Sequence, residues 1–299
     1  MTLIPLGILA SSGGVAGPLG IAGYVAGGYN GPVTTTDKLT FATELISTLG
    51  TGLSVARAGL AGMANSLVAG YMGGGNASGT TIDKFAFPSD SRTTLGTGLS
   101  SGRAGVGAFS NSSVAGYFGS GYAGVSTTTV DKFAFPSDSR TTLGTGIAAA
   151  GNEASGFSNN GVAGYFGGLQ SATGINKFAF PSDTRTVLAG VGNTASGSMA
   201  DSGTAGYYGG SSGRVTTVEK LPFATDTLST LATGLSTGTG YNAAFANSNG
   251  AGYFAGGDGG AVNYDFIDRF AFPTDVRTTL GATLSYLQQA AGGMANEGF

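Results

Sequence analysis

The sequence contains no cysteine, no histidine and no tryptophan. Without cysteine no disulfide can staple the fold, and no thiolate can serve as nucleophile or metal ligand. Without histidine the commonest general base is missing, together with the usual zinc and copper ligand. Chemistry built on a Ser-His-Asp arrangement, a Cys-His pair or a histidine-held metal is therefore excluded, and neither a cofactor nor a bound transition metal is expected. Charge is scarce as well. Charged residues make up 10% of the chain against a usual ~25%, and the 13 Lys and Arg are scattered, with a net charge of -3. No basic stripe exists to follow a phosphate backbone, so a nucleic-acid partner is not expected. Long apolar runs are absent too. The opening segment MTLIPLGILASSGGVAG is too short to span a bilayer and has no basic residue ahead of it, which argues against a membrane span and against a secretory leader.

What the chain has in excess is glycine, 57 of 299 residues, with 12 Tyr and 18 Phe set at recurring positions. The tripeptide AGY recurs with its tyrosine at Tyr24, Tyr71, Tyr117, Tyr165, Tyr207 and Tyr253. An acid or amide, a base and an apolar residue follow each time: Asp37-Lys38-Leu39, Asp83-Lys84-Phe85, Asp131-Lys132-Phe133, Asn176-Lys177-Phe178, Glu219-Lys220-Leu221 and Asp268-Arg269-Phe270. A leucine closes the unit at Leu49, Leu95, Leu143, Leu188, Leu231 and Leu280. A period in the forties signals an array of one supersecondary unit rather than several domains.

Each unit reads as four short strands. RAGVGAFSN alternates small and apolar residues and ends at an Asn or Asp suited to a tight turn through bonds to its own backbone. SVAGYFGS runs into glycines where the chain swings round. TTTVDKFAFP alternates polar with β-branched and aromatic residues, and SRTTLGTGL is again of period two. Four strands in about 46 residues, repeated six times, predict an all-β, six-bladed β-propeller with almost no helix. The first unit lacks an inner strand, because GPLGIAGY does not carry the pattern, whereas the tail GGMANEGF does. A strand at about residues 288–297 is thus expected to complete the N-terminal blade and close the ring, leaving 1–20 as an N-terminal extension and 21–299 as the propeller.

The order of signals resembles the kelch repeat, most clearly where Arg57-Ala58-Gly59 precedes Tyr71-Met72-Gly73-Gly74 and Arg103-Ala104-Gly105 precedes Tyr117-Phe118-Gly119, with Thr94 and Thr142 near where kelch blades carry a tryptophan. The near-copies of TTxDKFAFPSDSRTTLGTG also resemble repeat proteins of tailed bacteriophages, particularly those of cyanobacteria. That likeness implies a virion location and a role as a non-enzymatic tail, fibre or head component. The alternative is a recognition module, a lectin-like adhesin propeller, secreted or at the cell surface, binding a host-surface glycan or protein.

Residues that recur in every blade cannot all face one site, so Lys38 and its five equivalents, and Asp90 and its equivalents, are read as structural. Asp90 with Arg92, Asp138 with Arg140, Asp183 with Arg185 and Asp275 with Arg277 are expected to form turn hydrogen bonds or exposed ion pairs. Function is sought where the copies differ. The loops leading into the first strands and those between the second and third strands should share one face, giving an asymmetric recognition rim of Tyr29, Arg57, Asn76, Arg103, Tyr122, Gln170, Asn193, Arg214, Tyr241, Tyr264 and Gln288. Arg57, Arg103, Glu153 and Tyr241 are the residues that a sialidase-type site could draw on, although the PSDSR turns lack the glycine and tryptophan of that family's Asp box. GGDGG at 256–260 is a weak calcium candidate, since one carboxylate falls short of the oxygens that ion requires. Leu3, Ile4, Leu6, Ile8 and Leu9 lie outside the repeat and are expected to dock the propeller to other virion proteins.

Overall fold

The computed structural model describes residues 21–29, 31, 33–76, 79–170 and 174–296. Six four-stranded antiparallel sheets form six blades, and no helix among the described residues is long and apolar enough to cross a membrane. Blade 3 is typical, with strands Gly107–Asn111, Ala115–Gly119, Val130–Ala134 and Ser139–Thr142 from the axis outward. Burial falls in the same direction, from the fully buried AGY strand to the exposed SRTT strand. Small inner-strand residues let six strands crowd the axis: a Cβ on Gly62 would lie 2.2 Å from the Gly293 carbonyl oxygen of the adjacent blade.

The ring closes as the repeat arithmetic predicts. Gly292–Ala295 pairs antiparallel with Ala22–Ala26 as the inner strand of blade 1, and Ser285 donates its backbone N–H and its hydroxyl to Asp37 Oδ2 at 2.8 and 2.9 Å.

Successive blades share one interlocking unit. The glycine of AGY leaves a hole that receives a large inner-strand side chain of the preceding blade; a Cβ on Gly116 would lie 2.1 Å from the Met63 sulfur, and one on Gly164 2.1 Å from the Phe109 ring. The AGY tyrosine stacks on the phenylalanine that begins the third-to-fourth strand turn of the following blade, as in Tyr24 with Phe87 at 5.4 Å and Tyr71 with Phe135 at 5.2 Å. Its hydroxyl and the neighbouring lysine both donate to one aspartate there: Tyr71 Oη to Asp138 Oδ1 at 2.8 Å and Lys84 Nζ to Asp138 Oδ2 at 2.6 Å, with the ammonium 5.2 Å from the tyrosine ring centre. Burial first, and then the aspartate, push these phenols well above their usual range.

Two sequence expectations are corrected by this unit. Asp90 does not pair with Arg92; it takes Lys38 and Tyr24 of the preceding blade, and Arg92 reaches Asp83 instead, at 3.4 Å. Arg140 and Arg185 donate to the backbone carbonyls of Gly98 and Gly146. The Asn or Asp that ends the inner strand also looks outward from its own turn: Asn65, Asn111, Asn159 and Asp201 accept from the N–H of Ser113, Gly161, Gly203 and Asn249, each in the next blade. In both cases the side chain bonds across the seam to the neighbouring blade rather than within its own turn.

Candidate functional site

The two families of loops expected to form the rim do share a face, because backbone hydrogen bonds lace them together. Tyr122 and Ala104 exchange N–H···O bonds, as do Asp258 and Gly240, while Asn76 N–H donates to Ala58 and Gln170 N–H to Asn152. The rim is thus an ordered surface in register with the blades.

The predicted rim residues divide into three groups. Tyr29, Asn76, Tyr122, Gln170 and Arg214 are exposed on it. Asn193, Tyr241 and Tyr264 are half-buried, Asn193 donating to the Thr217 carbonyl and Tyr264 lying against Phe266. Arg57, Arg103 and Gln288 are buried below it and cannot contact a partner. The physical reason is the acid of the DKF step. Asp83 and Asp131 lie fully inside their blades, and Arg57 and Arg103 neutralise them at 3.0 Å. Burial pulls the two guanidinium pKa values down, and the facing carboxylates oppose it. A sialidase-type cluster is therefore not assembled. Two of its nominees are internal ion pairs, and the other two, Glu153 and Tyr241, meet at the rim without them.

GGDGG is likewise accounted for without calcium. Asp258 Oδ2 pairs with Arg214 at 2.6 Å and Oδ1 accepts the Gly260 N–H at 2.7 Å. Asp258 ends the first of two extended strands, Ala251–Asp258 and Asn263–Ala271, which pair with a register shift between Ala255 and Gly257. Among the described residues no group of three His, Cys, Asp or Glu could hold a metal ion.

A feature that residue types alone do not reveal lies at the mouth of the central channel. Twelve residues before each of five AGY tyrosines, and at the matching place in the tail, stand Gly59, Gly105, Glu153, Ala195, Tyr241 and Ala290, all with φ between 53° and 71°. Backbone bonds join many of them blade to blade: Gly105 N–H to Gly59, Gly59 N–H to Ala290, Ala290 N–H to Tyr241 and Tyr241 N–H to Ala195. Glycine accepts this left-handed conformation freely, whereas a bulky side chain in it is strained by about 1–3 kcal/mol. Glu153 and Tyr241 carry that strain, and their side chains meet across the mouth, Tyr241 Oη donating to Glu153 Oε1 at 3.0 Å. Burial, then Glu153, push the Tyr241 phenol up to about 12. Beside them is a cavity of about 280 Å³ lined by Tyr122, Asn152, Asn242 and the apolar side chains of Leu60, Val106 and several alanines. The sequence named Glu153 and Tyr241 only as members of a cluster with Arg57 and Arg103; the backbone ring itself is signalled by the glycine in Arg-Ala-Gly, whose counterparts in other blades are not glycine.

Six blades of four antiparallel strands around a narrow channel define a six-bladed β-propeller. No protein-family model matches the sequence, and no curated protein matches it. Among solved structures, one described as "Structure of YjhT" is similar with a TM-score of 0.65 at 13% sequence identity, covering 81% of this chain and 88% of that one. At that identity the likeness shows the fold alone.

Proposed function

We propose that this chain is a non-enzymatic structural component of a phage virion, a kelch-like propeller held by one face and displaying the other. One observation carries the reading. On the face opposite the rim, Ile21, Val68, Val114 and Val162 occupy equivalent positions ahead of the AGY strand in four consecutive blades, and each is about half exposed. Thr204 and Gly250 interrupt the series in blades 5 and 6. A crescent of β-branched apolar side chains on a surface otherwise rich in Ser, Thr and Gly is a contact surface for another protein rather than for water. The proposed docking residues Leu3, Ile4, Leu6, Ile8 and Leu9 lie outside the described residues, but their segment joins the propeller at Ile21, a member of that crescent. The partner is accordingly an apolar patch on a neighbouring virion protein.

Replacing Val68, Val114 and Val162 together by serine is expected to leave the melting temperature within a few degrees and to remove the protein from purified particles. Deleting residues 1–20 is expected to have the same outcome. Unchanged incorporation of both variants, or absence of the unaltered chain from particles by mass spectrometry, rejects the proposal.

The non-enzymatic part rests on the missing His and Cys and on the burial of Arg57 and Arg103 against Asp83 and Asp131. No release of sugar is expected from a panel of sialosides and polysaccharides; release that Glu153→Gln abolishes would restore an enzymatic reading. A second reading, a recognition module for a host-surface glycan, is favoured by the cavity at the channel mouth and is compatible with display on a particle.

A further inference from the structure

At the channel mouth two polar groups that line one cavity lack hydrogen-bond partners. Glu153 Oε1 accepts from Tyr241, but Oε2 has no hydrogen-bond partner and is enclosed. Asn242, 5% exposed, is held through Oδ1 by the Gly197 N–H at 2.7 Å, which leaves its Nδ2 donor unpaired. Both residues line the same cavity. Buried donors and acceptors are ordinarily satisfied, so a carboxylate acceptor and an amide donor left open at one cavity mark groups that a ligand would complete.

The chemistry of that ligand follows from the lining. It must offer both donors and acceptors, since Glu153 and the Tyr241 hydroxyl are in contact and Asn242 lines the same cavity. It must also have an apolar face, since Leu60, Val106, Ala154 and Ala291 supply much of the wall. Half-exposed Tyr122 adds an aromatic ring at the edge. A cavity of about 280 Å³ is at the small end of ligand sites, roughly 300–1,000 Å³, and takes one ring rather than a chain. No Lys or Arg lines it, because the nearby guanidinium groups are committed to Asp83, Asp131 and Asp258. The carboxylate of Glu153 is its one formal charge, and it disfavours anionic sugars.

We propose that the channel mouth binds a single neutral pyranose unit, the terminal residue of a glycan. Both atoms are enclosed in the free chain, so binding turns the two side chains toward the cavity: one hydroxyl donates to Glu153 Oε2, another accepts from Asn242 Nδ2, and a C–H face lies against Tyr122. The proposal rests on the recognition-module reading and narrows it to one site and one charge class. It also gives the strained backbone at Glu153 and Tyr241 a purpose, since glycine or alanine at these positions would leave the mouth without side chains to hold a ligand.

The test is titration of the full-length protein, by saturation-transfer NMR and calorimetry, with methyl glycosides of neutral hexoses and N-acetylhexosamines and with N-acetylneuraminic acid, alongside a glycan array. At least one neutral sugar is expected to bind, N-acetylneuraminic acid to bind at least tenfold more weakly, and Glu153→Ala and Tyr122→Ala each to weaken the neutral sugar at least tenfold. Val276→Ser, on the exposed outer strand Val276–Thr279 and away from the rim, should leave it unchanged. Tyr122 is exposed, so its variant keeps the test valid should Glu153→Ala lower stability. Array binding that neither cavity variant alters, or a preference for N-acetylneuraminic acid, overturns this site while the recognition reading stands. No glycan bound in any format overturns both.

Discussion

Replacing Arg103 by methionine is expected to cost about 3–5 kcal/mol, because it leaves Asp131 as a buried carboxylate without its cation. Both side chains are fully buried, and Arg103 also donates to the Phe118 carbonyl at 3.3 Å. The chain contains its own control. At the same two positions blade 4 carries Gly151 and Asn176, with Asn176 Oδ1 accepting the Ala148 N–H at 2.8 Å, a neutral version of the motif. Arg103→Gly combined with Asp131→Asn should accordingly recover most of the stability lost in the single variant; a double variant no better than the single one refutes the account. The pH dependence has a definite sign. Burial raises the Asp131 pKa, but the Ser100 N–H, the Thr142 hydroxyl and Arg103 outweigh it, so the folded carboxyl titrates below its ordinary value. Its stabilisation is fully present above the unfolded carboxyl range of about 4 and is lost as pH falls through the folded value. The advantage of the unaltered chain over Arg103→Met should therefore shrink in denaturation curves taken below about pH 4.

The second large effect is expected from truncation after Leu284. It removes Ser285, which binds Asp37, and Tyr286, whose hydroxyl donates to the Gly27 carbonyl. It also removes the strand Gly292–Ala295, with Met294 seated at Gly70. Met294→Ala alone should cost about 2–5 kcal/mol as a core truncation. The truncation loses more and exposes the inner edge of Ala22–Ala26 to pairing with another chain. At about 2–4 °C per kcal/mol for a domain of some 150–250 residues, the melting point should fall by at least about 10 °C, with aggregation on heating. A truncated protein melting within about 2 °C of the full chain would show that the ring does not depend on this closure.

The strands, their number per blade and the closing tail were legible because each rests on a local pattern: period-two alternation, AGY, and the missing first-strand signal before Tyr24. The seams were not. In a sixfold repeat every Asp in a PSDSR turn has a basic residue two positions on and another in the preceding blade, and spacing alone cannot tell a partner in the same unit from its copy one period away. Asp90 was thus paired locally with Arg92 when its partner is Lys38. The same degeneracy put Arg57 and Arg103 on the rim. Their position in a connecting loop suggested exposure, and nothing local shows that Asp83 and Asp131 turn inward to meet them. Tyr122 and Tyr29 were placed correctly because loop position does predict exposure where no buried charge competes. Glu153 and Tyr241 were nominated together with Arg57 and Arg103, but that these two meet each other without the arginines was not legible, because the contact spans two non-adjacent blades, 88 residues apart.

The seam has a consequence for how such a chain can change over generations. Tyrosine, lysine, phenylalanine and aspartate meet in the same way at blade junctions 1–2, 2–3, 3–4, 4–5 and 5–6, and the junction of blade 6 with blade 1 substitutes Arg269 and Glu44 in the same roles. Unequal recombination between two near-identical repeats would delete or duplicate a whole period, and the new neighbours would still present matching halves of the junction. Blade number and the order of rim loops are then open to reshuffling in a single genetic event, while the chemistry that holds blade to blade is inherited unchanged.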